Sequence, residues 1–521
     1  MSTTESINLY SALRAAFPLD LDGTAIEAAT PAGGWLHYTW RDLERGSARI
    51  ANLLASLELP AGSRIAVQVE KSVEALMLYL ATLRAGHVYL PLNTAYQSGE
   101  IEYFVGNAEP AVVVCTPVNF GWVSRIAFAA GTQQVYTLDD ERGGSLLERA
   151  VHFSDEHEPA ARGADDLAAI LYTSGTTGRS KGAMLTHGNL LTNARVLQDY
   201  WGWRPGDVLI HALPIFHVHG LFVASHGALL NGSKMIWFAK FDPRAVIDAM
   251  PRASVFMGVP TLYVRMLADA RLTREAAAQM RLFISGSAPL LIETFRQWQE
   301  RTGHTILERY GMSETIMLTS NPYGPDARHG GQHERRGGTV GFPLPGVGLR
   351  VMDDGGSPLA AGETGHIQVR GPNVFKGYWR MPEKTAEEFT ADGWFRTGDV
   401  GLVDARGYVT IVGRSKDLII SGGYNVYPAE VEAAINELPG VAESAVVGVP
   451  HPDFGEVGVA VLVARAGAQP DPQAILAALK SQMANYKVPK QCFIAGELPR
   501  NTMGKVQKNL LREQHKALFA G

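Results

Sequence analysis

The chain has 521 residues, more than one hydrophobic core can organise, so it should divide into several domains. Hydrophobic residues make up 46% and charged residues 19%, no apolar run reaches bilayer-spanning length, and Cys115 and Cys492 stand far apart without a zinc or disulfide spacing. A net charge of -5, a pI near 6.3 and 47 Lys and Arg spread along the chain argue against a nucleic-acid-binding face and a membrane-embedded protein, leaving a soluble enzyme of a reducing compartment.

The N-terminal MSTTESINLYSALRAAFPLDLDG has no basic n-region or apolar h-region, and Glu5, Asp20 and Asp22 oppose an organelle transit peptide, so a cytoplasmic protein is expected. Residues 36 to 115 alternate helical patterns (RDLERGSARIANLLASL, SVEALMLYLATLRAG) with short β-rich runs (RIAVQVE, VYLPLN, AVVVC), which reads as α/β with a largely parallel sheet. The same rhythm continues in DVLIHALPI, KMIWF, SVFMGVP and RLFISGS. From Gly341 to residue 413 short strands alternate with Gly/Pro/Asp turns, as in an antiparallel or barrel-like unit, and loop 326 to 338 (DARHGGQHERRGG) reads as mobile. A boundary falls at 415/416, separating a large N-terminal domain (1–415) from a small α+β C-terminal domain (416–521).

The stretch Tyr172–Gly182, YTSGTTGRSKG, concentrates hydroxyls, glycines, an arginine and a lysine in one loop. The apolar run Leu167–Leu171 predicts a strand before it, and helical spacing beyond Gly182, with a cap at Thr186, predicts a strand-to-helix connection whose N–H groups would cradle a polyphosphate. Its spacing is not that of a Walker A loop. Further along, Glu308–Glu314 (ERYGMSE) offers an aromatic face and carboxylates. WFRTGD places Asp399 where a carboxylate can accept from both hydroxyls of a ribose, and PRNTMGK presents Lys505 on a turn. His217 and His219 in FHVHG lack further ligands for a metal site, Glu430 and Glu432 read as a helix N-terminal charge preference, and Trp201 and Trp203 as packing.

In order, YTSGTTGRSKG, YGMSET, WFRTGD, GRSKDLIISGGYNVYPAEVE and LPRNTMGK resemble the signatures of the adenylate-forming superfamily of acyl-CoA synthetases, adenylation domains and luciferases. Within it, EKSVEALMLYLATLRAGHVYLPLNTAY, LIHALPIFHVHGLFVAS, GVPTLYVRML and GPNVFKGYWRMPEKT look most like malonyl-CoA synthetases. The resemblance implies a large N-terminal domain of α/β sheets plus a small β-barrel, and a mobile C-terminal domain. It implies a two-step ligase reaction with ATP, magnesium and coenzyme A. A dicarboxylate, malonate and more weakly methylmalonate, is activated as an acyl-adenylate with loss of pyrophosphate, and the thiol of coenzyme A then displaces AMP.

By the same resemblance Thr173, Ser174, Gly175, Thr176, Thr177 and Lys181 wrap the phosphates, and Glu314 with Thr173 holds magnesium. Adenine lies against Tyr310, among Gly286, Ser287, Ala288, Glu308, Gly311 and Ser313, and Asp399 and Arg414 bind the ribose. Lys505 reaches the substrate carboxylate and the α-phosphate, and is a candidate for reversible acylation by a modifying enzyme. His217, Ser287 and Met312 line the acyl pocket, Lys416 is the hinge, and Ser421, Gly422 and Gly423 line the pantetheine tunnel after rotation. Arg265, interrupting the apolar GVPTLYVRML, is expected to be a buried cation for the second carboxylate of malonate. Leu318 stands where the family usually has Asn, and with loop 326–338 bears on tolerance for larger acids. Alternatives are a monocarboxylate or aryl-acid ligase, a protein loading a carrier-protein thiol, and a silent nucleotide-binding scaffold.

Overall fold

The computed structural model describes residues 7–30, 33–173, 180–501 and 504–519. Ser174, Gly175, Thr176 and Thr177 of the phosphate loop lie outside the described residues. The short apolar runs become the strands of two sheets. One is six-stranded, in the order Gln134–Thr137, Val112–Cys115, Arg64–Gln68, Val88–Pro91, Leu167–Thr173, Lys181–Thr186, parallel except for the last pair. The other is nine-stranded, with the parallel strands Ile306–Tyr310, Leu282–Ser285, Val255–Gly258, Val208–His211, Lys234–Trp237 and Thr24–Ala29 at its centre. Strands buried on both faces need no polar alternation, which is why these runs read as continuous apolar segments. Helix Val73–Arg84, apolar from Ala75 to Ala81 and polar only near its ends, is buried all round.

The Gly/Pro-rich stretch forms an antiparallel meander of Gly348–Met352, Gly365–Arg370, Phe395–Val403 and Val409–Arg414. Its strand order is open, and its last strand is tied to residues 340–341 by the Val340 N–H to Val409 O and Val409 N–H to Gly341 O bonds. Loop 326–338, read as mobile, is held down: Arg336 pairs with Asp404 at 2.6 Å, and Arg335 donates to the carbonyl of Thr305 at 3.0 Å.

After the turn Ser415–Asp417 the chain builds a small C-terminal domain on its own five-stranded sheet. Period-two alternation in Val441–His451 and Gly455–Ala464 splits its core in two. Val446, Ala460 and Leu462 pack with Val431, Ile435 and Leu479 of two helices, while Ala445, Val447, Val459 and Val461 pack with Leu511 of a third. Glu430 and Glu432 pair with Lys487 and Lys508, both at 2.6 Å, in keeping with a structural role. Trp201 is fully buried, its Nε1–H donating to Ser320 Oγ at 2.9 Å, and Trp203 is buried beside it in the same core. No helix among the described residues is long and apolar enough to cross a membrane.

The phosphate loop does not run into a helix: it joins antiparallel strands Leu167–Thr173 and Lys181–Thr186, with Thr173 opposite Lys181. The helix begins a strand later, at His187, where Thr186 caps it through Asn189 N. Ala183, Met184 and Leu185 are good helix formers, but pairing with the preceding strand overrides that preference, and the helix starts only after the second strand.

Candidate active site

The phosphate loop is anchored on both sides. Tyr103 donates to the carbonyl of Ser180 at 2.7 Å, and Tyr172 to Asn107 Oδ1 at 2.5 Å. Lys181 Nζ lies 3.0 Å from Glu388 Oε1 and 4.2 Å from the centre of the Tyr378 ring, whose hydroxyl donates to Glu314 Oε1 at 2.9 Å. Lys181, Tyr378, Glu314 and Glu388 therefore form one cluster at the end of the loop strands. Glu314 is buried, and burial raises its pKa, so a nearby cation would be welcome there. Thr173 Oγ1 faces the carbonyl of Lys181 at 3.4 Å. Among the described residues no three His, Cys, Asp or Glu side chains gather as a metal site.

Asp399 and Arg414 are register partners on neighbouring strands, and their side chains pair at 2.7 Å. The second Asp399 oxygen accepts from the Tyr310 hydroxyl, whose pKa is driven well up by burial and by that carboxylate. The sequence motifs for ribose and adenine thus meet at one carboxylate. The turn after Tyr310 is tight. A Cβ on Gly311 would lie 1.9 Å from the carbonyl oxygen of Ile316, and Ile316 itself sits at φ 58, a costly conformation for a β-branched residue. Met312 and Ser313 are half-buried on this turn, and Leu318 is fully buried, its N–H on the carbonyl of Tyr310 at 2.9 Å.

Strand Ile306–Tyr310 sends alternate side chains to opposite faces. Glu308 turns one carboxyl oxygen to the N–H of Leu290 at 3.0 Å, propping the segment that carries Gly286, Ser287 and Ala288. Ser287 holds a left-handed φ of 73 at that bend. Burial pushes Glu308 up to about 8, so it is a neutral acid at pH 7. Because the folded pKa lies above the ordinary 4.5, the stability from burying the neutral acid is complete below about pH 4.5 and is lost as pH rises towards 8. Glu308→Gln keeps the acceptor without the ionisation, so its denaturation midpoint is expected to fall less than that of wild type between pH 6 and 8.5. Parallel profiles would refute this.

Arg309, between Glu308 and Tyr310, was missed in the sequence. Its side chain is 2% exposed, and its Nε and Nη2 have no hydrogen-bond partner. Room for it comes from Gly286, where a Cβ would lie 2.5 Å from the guanidinium carbon. Burial brings Arg309 down to about 9. Burial holds His217 down at about 4, with the charges of Arg309 and Lys505 adding to it, and burial, again with Arg309, lowers His219 well below its ordinary value, so both imidazoles are neutral. His217 Nδ1 accepts from the N–H of His219 at 3.3 Å, leaving Nε2–H as a donor, and His219 Nδ1 lies 3.4 Å from Ser287 Oγ. A buried guanidinium with two unpartnered nitrogens thus acts on two neutral imidazoles, one of which approaches the Ser287 hydroxyl.

Arg265 is not that buried cation. On helix Pro260–Leu267 the buried positions are Leu262, Tyr263 and Met266, and Arg265 is exposed, lining a surface groove of about 650 Å³ with Arg244, Asp269 and Arg271. The same helix nevertheless meets the C-terminal domain: a Cβ on Gly504 would lie 2.9 Å from Thr261 Oγ1. That contact brings the 501–505 turn to the cleft, with Asn501 N–H on the carbonyl of Lys505 at 2.9 Å. Lys505 is exposed to the cleft. Partial desolvation, and Arg414 next to it, lower its pKa, and the same causes bring the exposed Lys416 down to about 8. Arg414, Lys416 and Lys505 thus form a cationic rim beside Asp399. Gly422 and Gly423, at φ 57 and 85, make the exposed two-residue turn of a hairpin, with Ser421 buried at its base.

Residues 20–379 match the AMP-binding enzyme family, and residues 430–505 the AMP-binding enzyme C-terminal domain. The chain is similar to a malonate–CoA ligase of Arabidopsis thaliana, 34% identical over 87% of this chain and 78% of the relative. It is also similar to a feruloyl-CoA synthase of a Streptomyces species, 36% identical over 92% and 94%. Among solved structures, ATP-bound MatB from Rhodopseudomonas palustris superposes with a TM-score of 0.94 at 53% identity, over 99% of this chain and 100% of that one. The chain belongs to the AMP-binding enzyme family.

Proposed function

We propose that the protein is an AMP-forming malonate–CoA ligase that also accepts methylmalonate less well. The observation that carries this reading is Arg309, a buried guanidinium whose Nε and Nη2 have no hydrogen-bond partner and whose charge is felt by His217 and His219. An apolar acid would leave that charge unpaired, at a cost of several kcal/mol, whereas the second carboxylate of a short dicarboxylate would neutralise it. The likeness to relatives named malonate–CoA ligase supports the same assignment.

In the first half-reaction one malonate oxygen attacks the α-phosphorus of ATP and pyrophosphate leaves. The reacting groups are all anionic, so catalysis is charge neutralisation and alignment. Lys181 would exchange its Glu388 partner for the phosphates, and Lys505 would stand over the carboxylate and α-phosphate, with Arg414 and Lys416 adding positive potential. Tyr310 would carry the adenine, and Asp399, already oriented by Arg414, would accept from the ribose hydroxyls. Glu314, with Thr173, would hold magnesium, which would supply further charge neutralisation at the phosphates, in line with its habit of binding through few carboxylates plus phosphate. In the second half-reaction the sulfur of coenzyme A attacks the carbonyl and AMP leaves. Rotation of the C-terminal domain about Lys416, with the domain boundary at 415/416, would withdraw Lys505 and bring Ser421, Gly422 and Gly423 to the thiol path. Acylation of Lys505 would remove its charge and stop the first step.

The test is AMP release with ATP, magnesium and coenzyme A across malonate, methylmalonate, succinate, acetate, butyrate and ferulate. Malonate is expected first and methylmalonate second, and a monocarboxylate above malonate would overturn the substrate assignment.

A further inference from the structure

We infer that Lys71 is a positioning residue for the acyl pocket: its ammonium sets the tautomer of His211, and His211 holds the π-helical turn that begins at His219, two residues after His217. The inference rests on the reading of those two histidines as walls of that pocket.

Lys71 precedes Ser72, the N-cap of helix Val73–Arg84, and is 7% exposed. Its Nζ reaches the ends of two adjacent parallel strands. It lies 2.9 Å from His211 Nδ1, 2.9 Å from the His211 carbonyl oxygen and 2.8 Å from the Phe238 carbonyl oxygen, and 4.3 Å from the centre of the Trp237 ring. No carboxylate of the described residues pairs with it within 4.0 Å. Such a site is built for an ammonium, with three acceptors and an aromatic face.

The far side of the His211 ring fixes the proton count. Its Nε2 lies 3.0 Å from the carbonyl oxygen of Gly220 and 3.0 Å from Ser225 Oγ, and Ser225 Oγ–H also donates to that carbonyl at 3.0 Å. A bare Nε2 would set its lone pair against the Gly220 oxygen, so Nε2 must carry hydrogen. Burial, with Lys71 beside it, keeps the ring neutral, so Nδ1 is an acceptor. Lys71 must then donate to Nδ1 and to both carbonyls, and three donations require the charged form, against the desolvation that works to lower its pKa.

His211 and Ser225 thereby hold both ends of the π-helical segment His219–Ser225, a conformation that is rare and occurs mostly at functional sites. The segment is over-determined. A Cβ on Gly220 would lie 2.0 Å from the carbonyl oxygen of Pro214, and the N–H of Leu221 donates to the carbonyl of His217 at 3.0 Å. A shift of Gly220 would therefore move His217 and His219 together, relative to Arg309 and Ser287.

The test uses two near-isosteric replacements of His211 with Lys71→Met. In His211→Gln the amide nitrogen takes the place of Nε2–H and can still reach Gly220. In His211→Asn the side chain meets Lys71 but falls short of Gly220. We expect Lys71→Met and His211→Asn to raise the KM of the acid by about tenfold or more while the KM of ATP changes less than about twofold, and His211→Gln to stay within about threefold of wild type. Equal damage in Gln and Asn, or parallel changes in the acid and ATP KM, would overturn the inference. If Lys71→Met fails to fold, the Gln and Asn pair decides. If wild type prefers an acid other than malonate, the same split is measured with that acid, so failure of the substrate assignment is distinguishable from failure of this inference.

Discussion

Arg309→Met is expected to lower kcat/KM for malonate by about two to four powers of ten, the 3–5 kcal/mol range for stranding one partner of a buried charge pair. The same variant should gain on propionate or butyrate, because wild type must bind those acids with its guanidinium unpaired. Stability supplies an independent reading. Arg309 is buried with two nitrogens lacking any partner, so an apolar replacement of similar length should leave the melting temperature unchanged or raise it. Arg265→Ala, at an exposed position, should change malonate activity by less than about threefold. An equal loss on malonate and propionate in Arg309→Met would mean that the residue shapes the pocket without reading the second carboxylate.

Lys505→Ala is expected to suppress malonate-dependent ATP–pyrophosphate exchange by about a thousandfold, the scale for removing one preorganised donor from a developing charge. Thioester formation from synthetic malonyl-adenylate and coenzyme A should stay within about threefold, because the withdrawn turn takes no part in it. The asymmetry follows from position: Lys505 reaches the cleft through the Gly504–Thr261 contact, while the Gly422–Gly423 turn stays at the surface. Equal loss in both half-reactions would contradict the division of labour between the two faces of the C-terminal domain.

Most of the fold was legible because its strands are short, apolar and regularly spaced. Leu167–Leu171, Val112–Cys115 and the cap at Thr186 were read close to where they stand. The strand Lys181–Thr186 was not, since its ladder partner, rather than its composition, decides its state. Arg265 was misplaced although the buried triplet Leu262, Tyr263 and Met266 sets a helical stripe that leaves position 265 outside it. Arg309 carried a usable signal, a charge inside the buried strand ILERY. Its meaning depends on Gly286, brought alongside by the neighbouring strand Leu282–Ser285. The Lys71–His211 link spans 140 residues and joins two strand ends, so no local pattern announces it.

The most direct measurement is a crystal structure of the protein with malonate and a non-hydrolysable ATP analogue. The distal carboxylate is expected within hydrogen-bonding distance, about 2.9 Å, of the Arg309 guanidinium, with Lys505 over the proximal one. A distal carboxylate paired with Arg265 or turned to solvent, with Arg309 still unpartnered, would contradict this expectation.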